Sequence, residues 1–242
     1  MNLLDRIKVN NKETKEIQDL LESFESYYDT SYEEMYEYYR AMKQKSAEKF
    51  IEGWVAVQTG TKKKDAASYD KNNDVDGLDL GDLVAGELLV PGKNNIELKV
   101  MFSDQRVSIG GGQLRFYEDV AGYLFMKAWS SSKVEYFYLT KDELVAEIIE
   151  RANTPYKIDK KTGEPKFYEA LGSSQGSGKF KKGNNAARLQ ILQENLNKTR
   201  QDLIGWDFST KTEPALYAKW QAKYSKTPEQ LKVLFKEMAN GI

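Results

Sequence analysis

The segment Glu97-Leu98-Lys99 sets an acid and a lysine two residues apart inside the stretch Ile96-Glu97-Leu98-Lys99-Val100-Met101-Phe102. As a strand, its period of two puts Glu97 and Lys99 on one face and Ile96, Leu98, Val100 and Phe102 on the other. The apolar face can then be buried while the opposite face presents a carboxylate beside an ammonium. An acid near the start of the preceding strand would complete a site of two carboxylates and one lysine. Such a site suits Mg2+, a hard cation bound by carboxylate oxygens and water. The chemistry it points to is metal-assisted phosphodiester hydrolysis, with the lysine orienting water or neutralising developing negative charge. Two residues can fill the upstream position: Asp82, brought near Glu97 by a bulge or wide loop, or Glu87, set opposite Glu97 by a tight turn centred on Gly92. Glu48 and Glu52, one helical turn apart further upstream, are either a charged helix surface or a source of one more acid.

Composition removes many competing chemistries. The 242 residues include neither histidine nor cysteine. That excludes a Ser-His-Asp triad, a histidine base, a thiol nucleophile, disulfides and zinc held by cysteine or histidine. A site of carboxylates, lysine and Mg2+ needs neither residue. The 36 Lys+Arg and 37 Asp+Glu leave a net charge of −1, but the charge is unevenly spread. Residues 13–37 hold nine acids and one base, and residues 155–200 hold ten bases and four acids. A basic C-terminal part can supply a polyanion-binding face on a neutral protein, although solvated surface would look the same. Lys179, Lys181, Lys182 and Arg188 are its densest cluster and suit phosphate contact. With 40% apolar and 12% aromatic residues the chain can bury a core. No apolar run approaches the ~20 residues of a membrane span. The start, Met1-Asn2-Leu3-Leu4-Asp5-Arg6, lacks the pattern of a secretory signal, so a cytoplasmic location without membrane association is expected.

These side chains need a scaffold. Helical spacing of Ile17, Leu20, Leu21 and Phe24 predicts a helix over 12–28, and Thr30-Ser31 offers cap chemistry for a second helix running to about 58. Seven tyrosines between Tyr27 and Tyr69 fit helix packing better than base stacking. Residues 59–76, including Lys62-Lys63-Lys64, read as a polar loop. Strands are expected over 83–90 and 96–102, joined by Pro91-Gly92-Lys93-Asn94, then over 122–129 and 134–139. Strand order alone suggests an antiparallel meander. Thr140 caps a helix over 141–152, residues 154–183 read as irregular, and helices follow over 184–203, 213–224 and 228–239.

Two motifs fail on inspection. Gly176-Ser177-Gly178-Lys179 lacks the first glycine, the following Ser/Thr and the preceding strand of a phosphate loop, and Gly110-Gly111-Gly112 lacks dinucleotide-binding spacing. No nucleotide cofactor is expected. The sequon Asn197-Lys198-Thr199 has no export signal to give it meaning.

Asp82, followed fifteen residues later by Glu97-Leu98-Lys99, resembles the PD-(D/E)xK nuclease motif. The run Glu97-Leu98-Lys99-Val100-Met101-Phe102, then Gly112-Gln113-Leu114-Arg115-Phe116-Tyr117, Tyr123-Leu124-Phe125 and Phe137-Tyr138-Leu139-Thr140-Lys141-Asp142-Glu143-Leu144 is similar to a pattern in some type II restriction endonucleases. The likeness covers residues 81–150, with a weaker echo at 173–182. The chain departs from that pattern in having no proline before Asp82, in Phe116-Tyr117 where the pattern has Pro-Trp, and in Gln175-Gly176-Ser177-Gly178-Lys179 where the family often has a histidine element. The resemblance implies an α+β fold with a restriction-endonuclease-like central mixed sheet flanked by helices and extended by C-terminal helices. It divides the chain into an N-terminal helical region (1–58) packing on the core, a catalytic core (59–153), and a basic loop with C-terminal helices (154–242) in the same domain. It favours Asp82 as the first acid through the Gly-Asp-Leu context, with Asp82 and Glu97 as metal ligands and Lys99 as the catalytic lysine. Gln113 and Arg115 become candidates for reading base edges or holding phosphates, alongside Lys179, Lys181 and Lys182. The implied activity is Mg2+-dependent cleavage of double-stranded DNA, with Mn2+ as a substitute and a homodimer carrying one site per chain. A non-catalytic DNA- or protein-binding module with the same fold is the alternative, and an enzyme that nicks, trims ends or resolves junctions is a third reading.

Overall fold

The computed structural model describes residues 30–41, 48–64, 67–69, 80–102, 107–110, 120–153, 155–158, 160–163, 165–167, 203–206 and 214–241. Two helical segments come first, α1 (Tyr32–Ala41) and α2 (Glu48–Thr59). Ser31 caps α1 reciprocally: its Oγ accepts from the Glu34 N–H at 3.2 Å, and its own N–H donates to Glu34 Oε2 at 3.0 Å. Residues 42–47 and the helix expected over 12–28 lie outside the described residues.

The strands follow as β1 (Lys62–Lys63), β2 (Ser68–Tyr69), β3 (Leu83–Val84), β4 (Leu88–Leu89), β5 (Asn95–Phe102), β6 (Val107–Gly110), β7 (Gly122–Ser130) and β8 (Lys133–Thr140). Next come α3 (Lys141–Asn153), β9 (Pro155–Ile158), β10 (Pro165–Phe167), β11 (Leu203–Trp206), α4 (Pro214–Tyr224), β12 (Ser225–Lys226) and α5 (Pro228–Asn240). Thr140 caps α3 and Thr227 caps α5, each through the same reciprocal exchange with the residue three positions on. Among the described residues no helix is long and apolar enough to cross a membrane.

Six strands form one sheet in the order β1-β3-β5-β7-β8-β12. β5 and β7 are parallel, and every other neighbouring pair is antiparallel. The protein is thus α+β with a mixed sheet, and the pure meander suggested by strand order is corrected. A parallel neighbour requires the chain to cross back before re-entering the sheet. That return leaves through β6, which pairs with β11 in a separate two-stranded ladder.

Alternation divides the sheet into two unlike faces. Ile96, Leu98 and Phe102 of β5, Leu124, Met126 and Ala128 of β7, and Tyr136 and Tyr138 of β8 share one core with α1, α2 and α5. Met35, Tyr38, Phe50, Trp54, Leu231 and Phe235 are the helices' buried contribution. Tyr39 stacks on Phe102 with ring planes 4° apart, and the Trp54 indole N–H donates to the Thr30 carbonyl at 2.8 Å. Tyr36 and Tyr38 of the aromatic-rich segment are therefore core residues. On the other face Phe125 and Phe137 meet the edge of Trp220 from α4. α4 is in turn tied to α3 through buried Glu147, which accepts from Lys219 Nζ at 2.8 Å, Trp220 Nε1 at 3.1 Å and Tyr224 Oη at 2.7 Å.

Three further expectations are corrected. Residues 83–90 form no single strand: Gly86 turns with φ +93°, and β4 leaves to pair in parallel with β2. The stretch 154–183, read as irregular, contains the antiparallel pair β9 and β10. Leu203 opens β11 and does not close a helix; residues 184–202 lie outside the described residues.

The connection from β3 to β5 is organised by Asn94, which is 1% exposed. Its amide donates to the carbonyls of Ala85 at 2.7 Å and Leu88 at 2.6 Å, and its Oδ1 accepts from the Val90 N–H at 2.8 Å. Asn94→Ala leaves those backbone groups without their partner and is expected to lower stability by about 2–3 kcal/mol. A urea-unfolding midpoint equal to wild type would refute this role.

Candidate active site

β5 is amphipathic as expected. Glu97 is buried at 7% exposure, and the half-buried Lys99 donates through Nζ to Glu97 Oε1. The pairing of β3 with β5, Leu83 opposite Ile96 and Val84 opposite Asn95, brings Asp82 alongside the start of β5. The Asp82 N–H donates to the Ile96 carbonyl at 2.9 Å. Its Oδ2 accepts from the Leu98 N–H at 2.8 Å, so a side-chain oxygen takes a position in the sheet's hydrogen-bond ladder.

Of the two upstream acids, Asp82 is the one set against β5. Asp82 lies beside Glu97, close enough that each bears on the charge of its neighbours at the site. Glu87 sits exposed at the turn after Gly86 and pairs with Lys62. The turn carrying Gly92 does form, but the ladder extends from it through Ala85 N–H to Asn94 O at 2.9 Å, a register that leads to Asp82.

Gly81, before Asp82, sits in a conformation that suits glycine. Its φ is +66°, and a Cβ there would stand 2.8 Å from the Ile96 carbonyl oxygen. Proline is locked near −65° and cannot take that conformation. Glycine lets the two backbones close up at the point where Asp82 must reach Leu98.

Burial pushes the Asp82 carboxyl up to about 6, and Glu52 of α2 adds to the rise. The Leu98 N–H, Lys99 and Lys64 oppose it. Glu97 is raised for the same first reason, burial, with Lys99 the main opposing influence and Asp82 adding repulsion. Glu52 therefore belongs to the electrostatic surroundings of the site, while the Glu48 side chain lies outside the described residues. Lys64 was not distinguished within its polar run. The backbone pairing that turns Lys62-Lys63 into an edge strand beside β3 brings it to the acids.

The donor chemistry fits Mg2+ in a specific way. Two adjacent carboxylates whose ionisation burial opposes gain from a divalent cation, and Mg2+ commonly takes one or two carboxylates with water and phosphate oxygens completing its shell. Among the described residues no group of three or more acidic side chains is arranged to hold a metal.

Gln113, Arg115, Lys179, Lys181 and Lys182, with Arg188, lie outside the described residues. No family model, curated protein or solved structure matches the chain at a significant level.

The raised Asp82 carboxyl makes stability pH-dependent. The folded value of about 6 lies above the ordinary 3.8, so between them the native state binds more protons than the unfolded chain. Stability without metal is expected to fall as pH rises through that window and to level off above it. Asp82→Asn keeps an acceptor for Leu98 and removes the charge. It is expected to be more stable than wild type at pH 7 in EDTA, on the order of 1–2 kcal/mol, with a flatter profile. Urea midpoints collected from pH 4 to pH 8 check this, and parallel profiles for the two proteins would contradict it.

Proposed function

We propose that this protein is a Mg2+-dependent DNA endonuclease with a restriction-endonuclease-like core, most like a type II restriction endonuclease. The observation that carries the reading is the placement of Asp82, just before β3, against the β5 strand that carries Glu97 and Lys99 in a mixed sheet. Bound by the two carboxylates, Mg2+ would supply Lewis-acid stabilisation of the scissile phosphate and a more acidic water. The chain's own groups divide the remaining work. The Leu98 N–H holds the Asp82 carboxylate in a fixed direction, and Glu97 is kept in place by the strand that buries it. Lys99, two residues along, carries a positive charge to the same face, where it orients water and offsets charge developing on phosphate oxygens. Mn2+ would serve in place of Mg2+, the substrate would be double-stranded DNA, and a homodimer acting in the cytoplasm would cut both strands.

One observation favours a second reading, a DNA- or protein-binding module without catalysis. Lys99 is hydrogen-bonded to Glu97, and the described acids provide a pair and not a larger set.

Incubating the protein with supercoiled plasmid and Mg2+ separates the two. Cleavage by wild type is expected to fall by about 100-fold or more in Lys99→Ala and in Glu97→Gln. Cleavage that persists in both variants would sink this site, and DNA binding without cleavage in Mg2+ and Mn2+ would establish the module.

A further inference from the structure

Lys64 is fixed beside Asp82 by its backbone, independently of where its side chain turns. Its N–H donates to the Asp82 carbonyl at 2.9 Å, continuing the pairing of Lys62 with Val84 and Lys63 with Leu83, and its carbonyl accepts from the Ala67 N–H at 3.1 Å. The residue is thus held at both backbone groups at the end of the edge strand, next to the residue that supplies the first acid. Its side chain is half-buried, and its positive charge is the smallest of the influences that lower Asp82 and Glu97.

The charge balance gives that position a purpose. Asp82, Glu97 and Glu52 are acids, and Lys99 is already hydrogen-bonded to Glu97. An incoming phosphodiester therefore meets a site whose intrinsic lysine is engaged. A second ammonium at the sheet edge offsets repulsion between the phosphate and the acids, and a flexible four-carbon stem lets it follow a backbone phosphate as a point charge. Lys64 forms no salt bridge among the described residues.

We propose that Lys64 is a substrate-binding residue of this site, contacting a phosphate of the DNA strand that Asp82, Glu97 and Lys99 engage. The inference rests on the nuclease reading and adds to it a residue outside the Asp-Glu-x-Lys set. Lys64 acts on binding, and Lys99 on the chemical step.

Fluorescence anisotropy of a labelled DNA duplex in EDTA, repeated over a range of salt concentrations, tests binding apart from cleavage. Lys64→Gln is expected to weaken binding about three- to tenfold and to make the slope of log affinity against log salt shallower by about 0.9. Lys64→Arg is expected to keep both near wild type. Lys63→Gln removes the same charge one residue away and is expected to change neither. In Mg2+, Lys64→Gln is expected to raise KM with kcat little altered, the pattern of a lost binding contact. Urea midpoints equal to wild type for Lys64→Gln would exclude a folding defect as the cause. If wild type binds and cleaves DNA while Lys64→Gln matches it in slope and affinity, or if Lys63→Gln falls equally, this inference fails and the nuclease reading stands. If wild type neither binds nor cleaves, both fail together.

Discussion

The hydrogen bonding between the start of β3 and β5 is the constraint on which the candidate site depends. Strand side chains alternate, so a one-residue slip would send every side chain of β3 to the other face. The Leu83–Ile96 pairing, the Asp82 N–H on the Ile96 carbonyl and the Leu98 N–H on Asp82 Oδ2 fix that register at its functional end. Asn94 fixes it at the other end by binding three backbone groups of the connection. Gly81 allows the approach between them, because its positive φ and missing side chain leave space against the Ile96 carbonyl. One strand thus acquires its acid from a neighbouring segment without a long flexible loop.

Burial raises both carboxylates of the site, and Asp82 adds to the rise at Glu97. Such an arrangement persists because stabilisation lies elsewhere: in the aromatic core between the sheet and α1, α2 and α5, and in α4 and α3 closing the far part of the second face. The same β5 serves both tasks. Its alternate residues Ile96, Leu98 and Phe102 anchor the strand in the core while Glu97 and Lys99 are carried rigidly on the reverse side.

Much of this was legible in the residues, and the gaps have physical causes. β5, β7, β8, α3, α4 and α5 follow from periodicity and cap residues because their patterns are local. The parallel pairing of β5 with β7 is a long-range choice that no local pattern carries. The break of 83–90 into two short strands depends on Gly86 and on Asn94 bonding backward across the turn, an interaction between residues invisible to alternation. That Glu97 and Lys99 share a face is legible because one strand carries both. Which of Asp82 and Glu87 lies against β5 depends on hairpin register, and three lysines in a row look alike until Lys62-Lys63 pairs with β3 and leaves Lys64 beside Asp82.

A contrast between buried acids bears on what the Asp82–Glu97 pair is for. Glu147 is 3% exposed and is met by a lysine, an indole and a phenol from α4, with Lys223 at 4.0 Å. Each of those contacts joins α3 to α4, so the burial of Glu147 has a structural return. Asp82 and Glu97 also have partners in the Leu98 N–H and Lys99, but Asp82 adds to the rise at Glu97 and Glu52 to that at Asp82. Structural ion pairs and functional sites both perturb acids, so a raised carboxyl alone does not separate the two. The difference lies in the neighbours: Glu147 gathers donors from one helix, whereas Glu97 has a second acid, Asp82, adding to its rise. A cation between the two would offset their repulsion, which is the physical basis on which the proposed metal site rests.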